Sequence, residues 1–145
     1  MSKLDRENTM RKLVNAIRKA KRVYLIGNGG SASNAEHIRN DLTACGVRAF
    51  TIDMATLTAT ANDNGYEYVF SKWLRVVGEE GDLLIALSGS GTSPNILKAC
   101  DAAEVIGMAI HREFGAAQGL DMQQAENRQL ELGHELMRAL RANPR

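Results

Sequence analysis

Four hydroxyls and two glycines fill the six residues Ser88-Gly89-Ser90-Gly91-Thr92-Ser93, directly after the apolar run Leu83-Leu84-Ile85-Ala86-Leu87 and directly before Pro94. Proline suits the first turn of a helix, where its missing N–H would have found no partner, and a serine just before it is a good N-cap. The pattern predicts a buried strand, a tight loop and a helix start. Free N–H groups at a helix start, the helix dipole and nearby hydroxyls together favour an anion, most naturally a phosphate. The plainer alternative is a capped turn that needs its glycines for backbone geometry. A plain cap, however, needs one hydroxyl and not four.

A second loop, Gly27-Asn28-Gly29-Gly30-Ser31, also follows a short apolar run, Val23-Tyr24-Leu25-Ile26. It departs from the G-x-G-x-x-G dinucleotide fingerprint, because Ala32 stands where the third glycine belongs. Asp53, at the end of the next expected strand, is the acid a ribose would want, so a nucleotide-binding α/β protein remains an alternative. Paired with the serine loop, the glycine loop suggests a small phosphorylated ligand held between two helix starts. No nucleotide cofactor is expected.

Further along the helix after the glycine loop, His37 and Asp41 are four residues apart and share a face. Such a pair can clamp a divalent metal or supply a base and its orienting partner. Taken alone, such a pair is more often a surface hydrogen bond. On the last helix Glu126 and His134 are eight residues apart, about 12 Å along the axis, so they could share one ion only by leaning together. A histidine hydrogen-bonded within the helix packing accounts for His134 as well. His111 falls in a polar stretch expected to be irregular, His111 to Gly119, and takes no role.

These residues need a scaffold that brings them to one edge. Met10, Leu13, Val14, Ile17 and Ala20 give an N-terminal helix within residues 1–20 one apolar face. Ser31 or Ser33 is expected to cap a second helix running to about Ala44, and Ala49 to Ile52 reads as a second strand. A short helix from Thr56 to Ala61 is expected to run into a turn at Asn62-Asp63-Asn64-Gly65. The stripe Tyr66, Val69, Phe70, Trp73, Leu74 and Val77 marks another helix, ended by Gly78. Pro94 to Ile106 reads as a helix with Gly107 at its end, and Met108 to Ile110 as a fourth strand. The last helix, residues 121–141, is capped by Asp121 and packs through Met122, Ala125, Gln129, Gly133, Leu136 and Leu140. Strands alternating with helices imply a parallel sheet covered on both faces, with ligands at the carboxyl ends of its strands.

The chain has 145 residues, read as a single domain over 1–145. Eighteen basic and seventeen acidic residues leave a net charge of +1, so neither nucleic acid nor an anionic membrane is expected as a partner. No run approaches the ~20 apolar residues of a membrane span. Residues 1–22 have no continuous apolar stretch like that of a secretory signal. Cys45 and Cys100 lie outside any CxxC spacing and read as reduced thiols of a cytoplasmic protein.

Taken together, the glycine loop, His37, Asn62-Asp63 and Ser88-x-Ser90-Gly91-x-Ser93-x-Asn95 resemble the SIS (sugar isomerase) domain, and within it the phosphoheptose isomerase branch. The similarity runs from Lys21 to Met108 and resumes around Leu132-Gly133-His134. It implies a flavodoxin-like parallel sheet of four to five strands, the lower number because the chain between Met108 and His134 is short by about a strand and its loop. It also implies a homo-oligomer, tetramer or dimer, with active sites between subunits, and conversion of a ketose 7-phosphate to an aldose phosphate. On this resemblance Ser88, Ser90 and Ser93 hold the phosphate and Gly89 supplies backbone. Asn28, Gly29, Gly30, Ser31, Asn62 and Asp63 line the sugar. His37 and His134 match zinc ligands, and His134 a catalytic residue too. Asp41 stands where the family has a catalytic, zinc-ligating glutamate, and Glu126 where it has a glutamine, so the implied set is His37, Asp41, Glu126 and His134. A non-catalytic sugar-phosphate sensor or protein-binding scaffold is the second expectation.

Overall fold

The computed structural model describes residues 1–142, so the expected domain limit at residue 145 lies outside the described residues. In chain order they form α1 (Lys3–Lys19), β1 (Val23–Ile26), α2 (Gly30–Ala44), β2 (Ala49–Phe50) and α3 (Met54–Asn64). A 3₁₀ turn (Tyr66–Tyr68) leads to α4 (Val69–Val77), β3 (Leu83–Ser88), α5 (Pro94–Ile106) and β4 (Ala109–Phe114). A second 3₁₀ turn (Ala116–Gln118) precedes α6 (Met122–Ala142).

The strands pair in parallel in the order β2-β1-β3-β4, with Val23 opposite Leu83 and Leu83 opposite Ala109. Parallel strands need crossovers, and every crossover here carries helix. Alternation within each strand sends side chains to both faces. Val23, Leu25, Leu83, Ile85 and Leu87 pack with α1, α2 and α6, whereas Tyr24, Ile26, Leu84 and Ala86 pack with α4 and α5. All ten residues of β1 and β3 are buried, as central strands of a two-faced sheet must be. Four strands are present among the described residues, and the chain passes from β4 through one 3₁₀ turn to α6 with no fifth.

Several element boundaries differ from the sequence expectation, each for a local reason. Helix α2 begins at Gly30 with Gly29 at its cap, so Ser31 and Ser33 lie inside the first turn and neither caps it. Their N–H groups are taken by the Asn28 and Gly29 carbonyls. Strand β2 ends at Phe50 because Asp53, two residues beyond Thr51, already caps α3. That cap starts α3 at Met54, and the helix absorbs Asn62-Asp63-Asn64 before Gly65, at φ 111°, stops it. His111 belongs to β4, paired opposite Ile85, and not to an irregular stretch. On α6 Met122 is 56% exposed and Leu132 takes the expected packing place. Asp121 caps α6 as expected, accepting from the Gln124 N–H.

Candidate active site at the carboxyl edge of the sheet

The order reverses between β1 and β3, and the loops leaving these strands diverge to opposite faces, opening a crevice at their carboxyl ends. Both loops singled out in the sequence leave at this crevice.

The serine loop is held by its own hydroxyls. Ser88 is buried and its Oγ accepts from the Gly91 N–H at 2.9 Å, while Ser90 Oγ accepts from the Thr92 N–H at 3.2 Å. Gly91 makes the turn at φ 71°. Ser93 occupies the cap position of α5, but its hydroxyl makes no cap bond; the Ile96 and Leu97 N–H groups turn to its carbonyl instead. Exposed Ser90 and Thr92 and half-buried Ser93 thus leave hydroxyls open to an anion, and buried Ser88 shapes the loop. Gly89 is buried, its carbonyl accepting from the Ala116 N–H, and a Cβ there would meet Met122 Sδ at 2.4 Å. Gly89 therefore serves close packing under α6.

The glycine loop is shaped from below by Ser31. That serine is 3% exposed and its Oγ accepts from Gln129 Nε2 at 3.0 Å, so it secures α2 to α6 and is not on the ligand side. Gly29, at φ 55°, faces open space. Asn28 exchanges two hydrogen bonds with Asn95, Nδ2 to Oδ1 at 3.0 Å and the reverse at 2.9 Å, and the Tyr66 hydroxyl donates to Asn28 Oδ1 at 2.8 Å. Asn62 and Asp63, on the last turn of α3, are exposed and bonded to each other at 3.0 Å.

Helices α2 and α6 bring three donors together. His37 Nε2 lies 3.4 Å from Asp41 Oδ2 on the adjacent turn, and the His37 and His134 rings are 5.7 Å apart. Gly133 permits this approach, since a Cβ on it would stand 2.7 Å from Ile38 Cγ1 of α2. One ligand atom from each of His37, Asp41 and His134 lies within 4.8 Å of the others. Asp41 is 8% exposed, and its Oδ2 is buried without a hydrogen-bond partner. An orphaned carboxylate oxygen is costly unless a cation or donor meets it, so this set fits a divalent metal. Glu126 is not in the group. Its carboxylate lies against Gly30, where a Cβ would meet Oε1 at 2.4 Å, at the start of α2 and not beside His134.

Asp53, the acid weighed for a ribose, is committed to capping α3. It accepts from the Thr56 N–H and hydroxyl, both at 2.8 Å, and these bonds hold its carboxyl below the usual aspartate range. The sequence marked Tyr66 and Gln129 only as packing residues and Asn95 only as part of the serine motif, and gave none of the three a role in the site. Asn95 stood visibly at the α5 start, whereas nothing in a Tyr-x-x-Val-Phe stripe tells which way a phenol points.

A family profile of the SIS domain matches residues 6–111. The chain belongs to the SIS domain family. It is 39% identical over 111 residues to the phosphoheptose isomerase of Fusobacterium nucleatum, covering 72% of this chain and 57% of that one. With the Chlorobaculum parvum enzyme of that name it shares 41% over 106 residues, 66% of this chain and 51% of that one. This SIS domain chain thus spans between about half and three fifths of the curated relatives' length. Among solved structures it resembles the phosphoheptose isomerase of Neisseria gonorrhoeae, with a TM-score of 0.84 at 27% identity over 94% of this chain and 86% of that one. The Francisella tularensis structure, at 22% identity and a TM-score of 0.83, shares the fold over 99% of this chain and 100% of its own.

Proposed function

We propose that this chain is a phosphosugar isomerase interconverting a ketose phosphate such as sedoheptulose 7-phosphate with the aldose heptose phosphate. The observation that carries the reading is the convergence of Asp41 and His37, on the helix that starts at the glycine loop, with His134 of α6. A binding-only module would need the two loops but has no use for a buried carboxylate whose Oδ2 lacks a hydrogen bond beside two histidines.

Isomerisation moves a proton between C1 and C2 through an enediol, so it needs a base at carbon, a proton carrier at oxygen and a stabiliser of the developing oxyanion. Asp41 takes the proton from C1 of the ketose and returns it to C2. His134 carries the proton between the two oxygens, so atoms balance without a redox partner. The open hydroxyls of Ser90 and Ser93, with Ser88 and Gly89 holding their loop, grip the phosphate. That remote binding positions the reacting carbons. Asn28, Gly29, Gly30, Asn62 and Asp63 face the sugar. Zinc held by His37, Asp41 and His134 would supply a Lewis acid at the substrate oxygens. Exposure of both histidines, His37 at 46% of its side chain, suits a homotetramer or dimer in which a second copy covers the site. Two thiols without a disulfide suit a cytoplasmic setting.

The decisive experiment incubates metal-replete protein with sedoheptulose 7-phosphate in D₂O under NMR. Deuterium at C1 or C2 and an aldose product are expected; demonstrable binding with neither would leave the sensor. Zinc content should fall in His37→Ala and His134→Ala, and an unchanged content would remove these ligands from the set.

A further inference from the structure

The crevice between β1 and β3 is spanned by a latch of three side chains from three segments: Asn28 after β1, Asn95 in the first turn of α5, and Tyr66 in the 3₁₀ turn after α3. Asn95 is 3% exposed, so its amide needs partners, and the reciprocal pair with Asn28 supplies one donor and one acceptor to each. By itself an amide pair has two equivalent orientations. The Tyr66 hydroxyl adds a third bond at one end, and with it Asn28 Oδ1 accepts twice, filling both lone pairs. What remains to the Asn28 side chain is a single N–H.

We infer that Tyr66 is a positioning residue: through Asn28 it sets the glycine loop against the serine loop before ligand arrives, and it leaves Asn28 only an N–H to offer to a ligand oxygen. This rests on the sugar-phosphate reading above. Tyr66 is 49% exposed, and Gly65 at φ 111° turns the chain so that its ring reaches Asn28, so the phenol makes a bond that its packing does not require. One hydrogen bond of this kind corresponds to roughly a three- to tenfold change in affinity.

The test compares wild type, Tyr66→Phe, Asn28→Ala and the double variant by calorimetry with two probes, sedoheptulose 7-phosphate and inorganic phosphate. Side-chain amide resonances of Asn28 and Asn95 are followed in the free proteins. Tyr66→Phe is expected to weaken the sugar phosphate roughly three- to tenfold, to leave inorganic phosphate binding and Tm unchanged, to shift both amides, and to add nothing in the Asn28→Ala background. Unchanged sugar-phosphate affinity overturns the inference, as do additive losses or parallel losses of phosphate binding and Tm. Failure of wild type itself to bind the sugar phosphate would instead sink the isomerase reading. The amides then judge the latch alone: shifted peaks in Tyr66→Phe uphold it, and unmoved peaks overturn it.

Discussion

At the scale of single residues, Asp41 carries the sharpest expectation. On the proposed isomerase reading, Asp41→Asn keeps the shape and removes the proposed base, so turnover should fall by roughly 10²–10⁴-fold while calorimetry still detects the sugar phosphate. Two glycines of one loop should respond differently to alanine. A Cβ on Gly27 meets the Ser31 backbone C and O at 2.6 Å, which cannot yield without moving the first turn of α2. A Cβ on Gly30 meets the tip of Glu126, a flexible carboxylate that can swing aside. Gly27→Ala should cost about 1–3 kcal/mol in denaturant unfolding and Gly30→Ala much less. Cys100 is buried, which pushes its thiol up despite Arg112 nearby, so a thiol reagent should label half-buried Cys45 in the native protein and Cys100 only on unfolding.

Between elements, the contact of α2 with α6 matters most. Gly133→Ala would gain up to about 1 kcal/mol of helix propensity but drives a methyl into Ile38, so a net loss of stability is expected with weaker zinc retention, measured by metal analysis after dialysis. At the end of β4, burial alone would raise the Glu113 carboxyl, yet bonds from His111 Nε2 at 3.1 Å and Gln118 Nε2 at 2.6 Å win and hold it below the ordinary 4.5. A carboxyl lowered on folding stabilises at pH values above its unfolded value, and that contribution drains away as pH falls through the folded value. Melts from pH 7 down to pH values below about 4.5 should therefore show a steeper loss for wild type than for Glu113→Gln. Periodicity and breakers made most elements legible: Pro94 to Ile106 appears as read, and Gly78 and Gly107 stop their helices. The misreadings share a cause, which is that a capping or turn residue has several legal uses. Asp53 and Asn62-Asp63-Asn64 look like loop in sequence, and local bonds to Thr56 made one a cap while the others run on as a final helical turn until Gly65. In the site, side-chain types and helical spacing exposed His37 with Asp41. The meeting of His134 with them depends on how closely two distant helices pack, and Gly133 reveals that only once Ile38 is known to face it.

For the whole molecule, zinc occupancy and stability should be linked. A metal that binds only the folded chain at about 100 times its Kd adds about 2.7 kcal/mol, so Tm should rise with zinc, fall with chelator, and respond to neither in His134→Ala. The all-parallel sheet has a consequence for how the chain reaches this state. No strand can pair with its neighbour through a tight turn, and the central β1–β3 pair joins Val23 to Leu83, sixty positions apart. The chain must close that long loop before the ladder rewards it, so folding is expected to be governed by topology. Stopped-flow refolding should give milliseconds to seconds, not the microseconds of helical bundles. Until β1 meets β3, the two halves of the ligand crevice do not exist as a pair, so the capacity to bind should appear only with this late, non-local step.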